Sequence, residues 1–214
     1  MKIIDLTHTI SEDMSVYPGT EQPKLKTINI YEQQGFKETL INIFSHTGTH
    51  MDAPAHLYAD KKTLDKFHIS QFVGTAFMID CTDLCDDNMI TMKYINQDIK
   101  KADKAEFLIF RTGWGKYWGT DQYYGDYPCL DKEVVEYIIH THKKGIGFDT
   151  ISVDPIIDEN FTAHKKLLAE NEIVIIENLA NLNEIKTDLF TLFALPLKYE
   201  NSDGAPIRAI ALIK

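Results

Sequence analysis

Along the chain, stretches in which apolar and polar residues alternate give way to stretches in which apolar residues recur every three or four positions. "KIIDLTHTI" sets Ile4, Leu6, His8 and Ile10 on one face of an extended segment, and "KETLINIFS" reads as a second strand that runs into a histidine-rich stretch. "VGTAFMID" and "AEFLIFRTG" are short apolar runs of strand length, as expected of strands covered on both faces. "DKEVVEYIIHTHKKG" changes the period: Asp131 is placed as an N-cap, Val134, Val135, Ile138 and Ile139 form an apolar stripe, and cationic residues precede Gly145 as the stop. A strand "IGFDTISVD", a short helix around "FTAHKKLLAEN", a strand "IVIIENL" and two strand-like tails, "DLFTLFALPLKYE" and "APIRAIALIK", complete the pattern. An early β-rich part followed by β-α-β alternation predicts an α/β fold with a mixed sheet, as one domain over residues 1–214 without repeat or linker.

Against this background "SHTGTHMDAPAHL" stands apart, because it carries three histidines and an aspartate between His46 and His56. A helix is a poor reading, since Gly48 weakens it and Pro54 removes a backbone donor. Extended chain, with its period of two, would turn His46, His50, Asp52 and His56 to one side, with small or rigid spacers between them. As core, each of these side chains would need its own polar partner. Imidazoles with a carboxylate are instead the donor set of zinc and manganese, which makes His46, His50 and Asp52 candidate metal ligands. Glu177 ends an apolar strand where an unpaired carboxylate is costly, and His164 lies on the preceding short helix. A helix folding back on its following strand would bring the two to one end of the sheet. His8, His68, His140 and His142 are read as ordinary packed, hydrogen-bonded residues.

Composition narrows the function classes. With 44% hydrophobic and 25% charged residues, the 214-residue chain is of the globular type, and its net charge of −10 opposes binding to nucleic acid or to anionic lipid. Asp5 interrupts the N-terminal apolar residues, and no run approaches membrane-spanning length, so a cytoplasmic location without membrane association is expected. Cys81, Cys85 and Cys129 are few and lack a second metal-binding pair, and they are read as structural thiols. No Gly-x-Ser-x-Gly elbow supports a serine nucleophile, and Ser45 falls on the opposite side of the extended segment from His46.

The stretch "HTGTHMDAPAH" is identified as the signature H-x-G-T-H-x-D-x-P-x-H of the cyclase family, which includes bacterial kynurenine formamidases and the related isatin hydrolases. "DLTHTISEDMSVYPG", "FRTGW", "GFDTISVDP" and "HKKLLAENEIVIIENL" resemble further family segments in the same order. The resemblance implies a swivelling β/β/α fold, a homodimer or homotetramer, and a small-molecule amide substrate. It implies that His46, His50 and Asp52 bind one divalent metal, and that His164 and Glu177 complete a second site sharing Asp52. Zinc is the expected ion, manganese the alternative, and one or two ions are compatible with the family. His56 is implied as the general acid/base beside the metal, and Tyr17, in "MSVYPG", as an aromatic lining the pocket.

The expected reaction is hydrolysis of an N-formyl aryl amine such as N-formylkynurenine, with ring-opening of a cyclic amide, or a non-catalytic binding role, as alternatives. A metal brings the pKa of bound water from about 15.7 toward about 7, and His56 must be unprotonated to accept a proton, so activity is expected to rise through roughly pH 6 to 7.5. "RTGWGKYWGTDQYYGDYP" reads as a long, lid-like loop. Arg111, at a strand end, is read as an ion-pair partner of Asp149 or Asp154, or else as an anchor for a substrate carboxylate.

Overall fold

Residues 1–84, 88–169 and 172–213 are described by the structure, a computed structural model; Cys85 lies outside them. Chain order runs β1 (Lys2–Asp5), β2 (Lys24–Asn29), α1 (Tyr31–Gln34), β3 (Glu38–Asn42), β4 (His50–Asp52), β5 (Val73–Asp80) and β6 (Met89–Ile90). It continues with α2 (Met92–Ile95), α3 (Ile99–Lys104), β7 (Phe107–Arg111), β8 (Cys129–Leu130), α4 (Lys132–His140), β9 (Gly145–Phe148), α5 (Thr162–Leu168), β10 (Val174–Glu177), β11 (Leu189–Pro196) and β12 (Gly204–Ile213).

Eight strands form one mixed sheet in the order β1-β12-β11-β5-β7-β9-β10-β4, and an additional pairing of β12 with β4 closes it into a barrel-like ring. Strands β5, β7, β9 and β10 run parallel, whereas β4, β11 and β12 pair antiparallel. The apolar runs are buried on both faces, as their sequence requires. Ala76, Phe107, Ile109 and Ile176 enter a core with Met51, Phe190 and Leu192, while Phe77, Ile79, Leu108, Phe110 and Ile175 face a second core built with Ile95, Val134, Ile138 and Leu167 of the helices. This single-domain α/β architecture with a mixed sheet is the one anticipated. Among the described residues, no helix is long and apolar enough to cross a membrane.

Some local expectations change. Asp131 does cap α4, accepting from the Val134 amide at 2.8 Å, but the helix ends at His140 and His142 takes the left-handed conformation at φ 49°. Gly145 opens β9 instead of stopping the helix, and a Cβ there would lie 2.7 Å from the Val174 carbonyl oxygen. The segment from His46 to His56 is not continuous extended chain: a turn with Gly48 at φ +64° precedes the three residues of β4, and Pro54–His56 form a 3-10 turn. Proline at its first position fits a turn whose first amide needs no partner.

The aromatic loop after β7, read as lid-like, packs on itself around Tyr123 in this structure. Tyr123 is fully buried, and Trp114, Trp118, Tyr124 and Tyr127 gather round it. The Tyr123 hydroxyl donates to Asn178 Oδ1 at 2.8 Å, and Trp114 Nε1 donates to the Tyr123 carbonyl at 3.0 Å. So much buried aromatic area, with its polar atoms satisfied, holds the loop closed-packed. Cys81 and Cys129 are buried free thiols, both pushed up in pKa by burial.

Candidate metal centre

Strand β4 lies between β10 and β12, and its register builds the centre. Glu177 pairs with His50, Ile176 with Met51 and Ile175 with Asp52. Alternation then sends Met51 and Ile176 into the barrel core and leaves His50, Asp52 and Glu177 on the opposite face. Helix α5 packs on that side through Leu167 and Leu168 and brings His164 over the carboxylates. His164 Nε2 lies 3.3 Å from Glu177 Oε1 and 3.5 Å from Asp52 Oδ2. The predicted return of helix onto strand therefore does join these two residues.

His46 enters from the turn ahead of β4, with Nδ1 2.7 Å from Asp52 Oδ1 and Nε2 3.1 Å from Asp203 Oδ2. The space for its ring exists because the β12 residue paired with Asp52 is Gly204. A Cβ on Gly204 would sit 2.7 Å from His46 Nε2. Two triads of ligand-type groups share Asp52, His46–His50–Asp52 and Asp52–His164–Glu177, and a third, His46–His56–Asp203, adjoins them, each with its donor atoms within 4.8 Å of one another.

Charge in this pocket is tightly interdependent. Burial disfavours a charged His46, but Asp52 and Asp203 outweigh it and raise the imidazole to about 10. His164 is raised as well, because Asp154, Asp52 and Glu177 overcome the effect of its burial. Asp52, though buried, is held well below the usual carboxylate range by the surrounding histidines. His164 Nδ1 is 2.8 Å from Asp154 Oδ2, and the two oxygens of Asp154 also accept from the Ala163 and His164 amides at 2.7 and 3.0 Å. Asp154 thus fixes the start of α5 and the His164 ring together, as carboxylates behind metal-binding histidines do.

The donor set suits a cation, and His50 is the clearest test. Its Nδ1 is 2.8 Å from the Gly48 carbonyl oxygen, which can only accept, so Nδ1 carries the proton. In a neutral ring the bare Nε2 then faces Asp52 Oδ1 at 3.3 Å and Glu177 Oε2 at 3.4 Å. Three electron-rich atoms facing one another repel; a positive ion among them reverses the sign. Mixed imidazole and carboxylate donors fit zinc and manganese.

His56 stands beside the two triads that share Asp52. Its ring centroid is 4.0 Å from that of His46 and 6.3 Å from that of His164, and its Nδ1 is 3.9 Å from Asp203 Oδ2. Burial lowers His56 to about 4, against an upward pull from Asp52. Tyr17 lines the same cavity of about 250 Å³, together with Phe44, Ile151 and Phe161. All the residues singled out in the sequence as site candidates therefore meet in one place. Asp203 and Asn178 were not foreseen there. Asp203 accepts from Ser45 Oγ at 3.2 Å besides contacting His46, but it sits in a turn, "ENSDGAP", with no ligand-like spacing. Asn178, whose side-chain amide donates to the Gly48 carbonyl at 2.9 Å, carries only the weak signal of following Glu177.

The ring-closed mixed sheet and the buried histidine–carboxylate cluster define an α/β protein whose centre gathers groups able to hold a metal ion. The chain belongs to the Cyclase family, whose profile it matches over residues 4–155. It is 31% identical to a kynurenine formamidase of Bacillus cytotoxicus over 97% of this chain and 95% of that protein. Its structure is similar to isatin hydrolase A from Labrenzia aggregata, with TM-score 0.86 and 26% identity over 98% and 93% of the two chains. A protein described as a potential metal-dependent hydrolase with cyclase activity is likewise similar, with TM-score 0.81 and 27% identity over 98% and 96% of the two chains.

Proposed function

We propose that this protein is a metal-dependent hydrolase of C–N amide bonds, with His46, His50 and Asp52 holding one divalent cation and Asp52, His164 and Glu177 able to hold a second. The observation that carries this reading is the buried convergence of His50 Nε2 on Asp52 Oδ1 and Glu177 Oε2, with its Nδ1 held by the Gly48 carbonyl. A divalent cation supplies Lewis acidity, which acidifies a water molecule and polarises an amide carbonyl. His56 is the proton carrier: unprotonated at neutral pH, it takes the proton of the attacking water and passes it to the leaving nitrogen. Asp203, close to His56 Nδ1 and half-exposed, steadies the imidazolium while it holds that proton. Tyr17, Phe44 and Phe161 line the cavity with apolar and aromatic surface and offer a ring face to an aryl substrate.

The substrate we propose is an N-formyl aryl amine such as N-formylkynurenine, supported by the full-length likeness to a kynurenine formamidase. Ring-opening of isatin-like cyclic amides is the second reading, supported by the likeness to isatin hydrolase A. One experiment tests the shared chemistry and separates the substrates: metal content and turnover of N-formylaniline, N-formylkynurenine and isatin by wild type and Asp52→Ala, with zinc or manganese. Loss of metal and activity together in Asp52→Ala is expected, with the formamides turned over faster than isatin. Stoichiometric metal in the variant, or hydrolysis surviving demonstrated metal removal, overturns the proposal.

A further inference from the structure

Arg111 pairs with neither Asp149 nor Asp154: its Nη1 lies 3.1 Å from Asp80 Oδ2, and it lines a cavity separate from the metal centre. Among the described residues, neither lysine nor arginine lines the metal-centre cavity. The body of a substrate there is met by aromatic rings, aliphatic groups and hydroxyls, and of the rings Phe161 is the least expected from its local sequence.

Phe161 breaks two local rules at once. Its backbone is left-handed, at φ 53° and ψ 53°. A side chain crowds the backbone there, and asparagine and histidine tolerate the crowding better than bulky residues do. The chain follows that rule elsewhere, since the other described non-glycine residues at positive φ are Asn88, Asn178, Asn181, Asn201 and His142. Phe161 is also the N-cap of α5, a position that normally offers a side-chain oxygen to the first free amides, and it has none to offer. Two carboxylates take over that role. Asp158 accepts from the Asn160 and Thr162 amides at 2.9 and 3.0 Å, and Asp154 accepts from the Ala163 and His164 amides. The Phe161 amide donates to the Asp158 carbonyl at 3.3 Å, and the Phe161 carbonyl begins the helix by accepting from the Lys165 amide at 2.8 Å. A conformation that local preference disfavours is thus fixed by its surroundings, an arrangement that collects at functional sites.

What the position gains is the ring. Phe161 is half-buried, lines the metal-centre cavity with Tyr17 and Phe44, and meets the His164 imidazole edge to face, with centroids 6.1 Å apart and planes at 88°. The two residues are three apart at the start of α5, so ring and ligand candidate share one face of the same turn. We infer, on the reading of this site as an amide hydrolase, that Phe161 is a specificity-determining residue. Its ring, held on the His164 side of the cavity, is a face on which the aryl group of the substrate packs, and it selects aryl amides over alkyl amides of the same size.

The test compares N-phenylformamide with N-cyclohexylformamide, two six-membered rings of which only the first has a π face. Turnover is measured in the metal-loaded protein, and binding is measured calorimetrically in the His56→Ala background, where turnover is slow. Phe161→Leu keeps apolar bulk without the ring and is expected to lower the phenyl-over-cyclohexyl ratio of kcat/KM about three- to tenfold, through KM, the worth of an aromatic pair. Phe161→Tyr should keep the ratio, and metal content should be equal in all of these proteins. Phe161→Gly should melt above Phe161→Ala, because glycine suits both a left-handed backbone and an N-cap. A ratio unchanged in Phe161→Leu, or lost equally in Phe161→Tyr, overturns the assignment, and alanine melting above glycine removes its backbone argument. Binding separates this inference from the proposed function. A phenyl preference in binding that Phe161→Leu abolishes, with neither formamide turned over by wild type, would sink the hydrolase and keep the aryl face; hydrolysis of both by a protein that binds them equally would keep the hydrolase and sink the aryl face.

Discussion

Protons and metal compete for the same atoms at the centre. In the metal-free protein His46 is raised to about 10 and is charged at neutral pH, so its folded value lies above the unfolded value of about 6.5. Its contribution to stability is then complete below about pH 6.5 and fades as the pH climbs through about 10. Asp52 and Asp203 are lowered, so their contribution is complete above about pH 4 and is lost as acid protonates them. Chelated protein should therefore lose melting temperature on both sides of that window. Adding zinc must displace the protons on His46 and His164, and about two protons per loaded centre should appear in weakly buffered solution near pH 8. Zinc uptake with no acidification would contradict imidazole ligation. His56 behaves differently. In the metal-free protein burial lowers it to about 4, which predicts that His56 adds little to an activity limb between roughly pH 6 and 7.5. His56→Ala should retain its metal and lose two to four orders of magnitude in turnover, roughly the effect of a positioned proton carrier, with the acid limb unmoved. A limb that shifts in the variant would return that ionisation to His56.

Elements rather than side chains decide how precisely these groups meet. Strand β4 supplies two ligand candidates only because its pairing with β10 and β12 fixes which face His50 and Asp52 occupy. That face was legible in the sequence, since His50 and Asp52 are two residues apart and Glu177 ends an apolar strand. The entry of His46 was not legible as it stands: it rests on a left-handed Gly48 and on the missing side chain of Gly204, 158 positions from His46 in the chain. Periodicity carries no information about a contact made across a sheet by an absent atom. Asp203 was hidden for the same reason, reaching His46 from the turn ahead of β12. Gly204→Ala should displace the His46 ring and reduce metal content with little change in the far-ultraviolet circular dichroism; full metal occupancy would show that the ring relocates freely. Asp154→Asn leaves the size of the side chain but weakens its hold on His164 Nδ1 and on the start of α5. A fall in metal affinity of about 10- to 100-fold is expected, the range for carboxylates behind metal-binding histidines, and titration against a competing chelator measures it.

At the scale of the whole molecule, the hairpin of β2 and β3 is what the single chain does not explain. All five residues of β3 are exposed, and Ile28, Phe36, Leu40, Ile41 and Phe44 present large apolar side chains to solvent. A two-stranded hairpin without a third strand or covering helix is at best marginally stable in water, and apolar patches of this kind mark contact surfaces. The homo-oligomer expected from the family resemblance gives it an occupant, and we propose that a second copy of this chain covers the hairpin. Phe44, at its foot, also lines the metal-centre cavity, so association and substrate enclosure share a side chain. Leu40 and Ile41 point to opposite faces of β3, so a charge at each probes both. Leu40→Glu with Ile41→Glu should reduce the sedimenting species to the 24.5 kDa monomer. Because none of the candidate metal ligands lies on the hairpin, metal content should hold while KM for an aryl formamide rises. A wild-type chain that sediments as a monomer, or a double variant with unaltered mass, would leave the hairpin to some other partner and end the self-association reading.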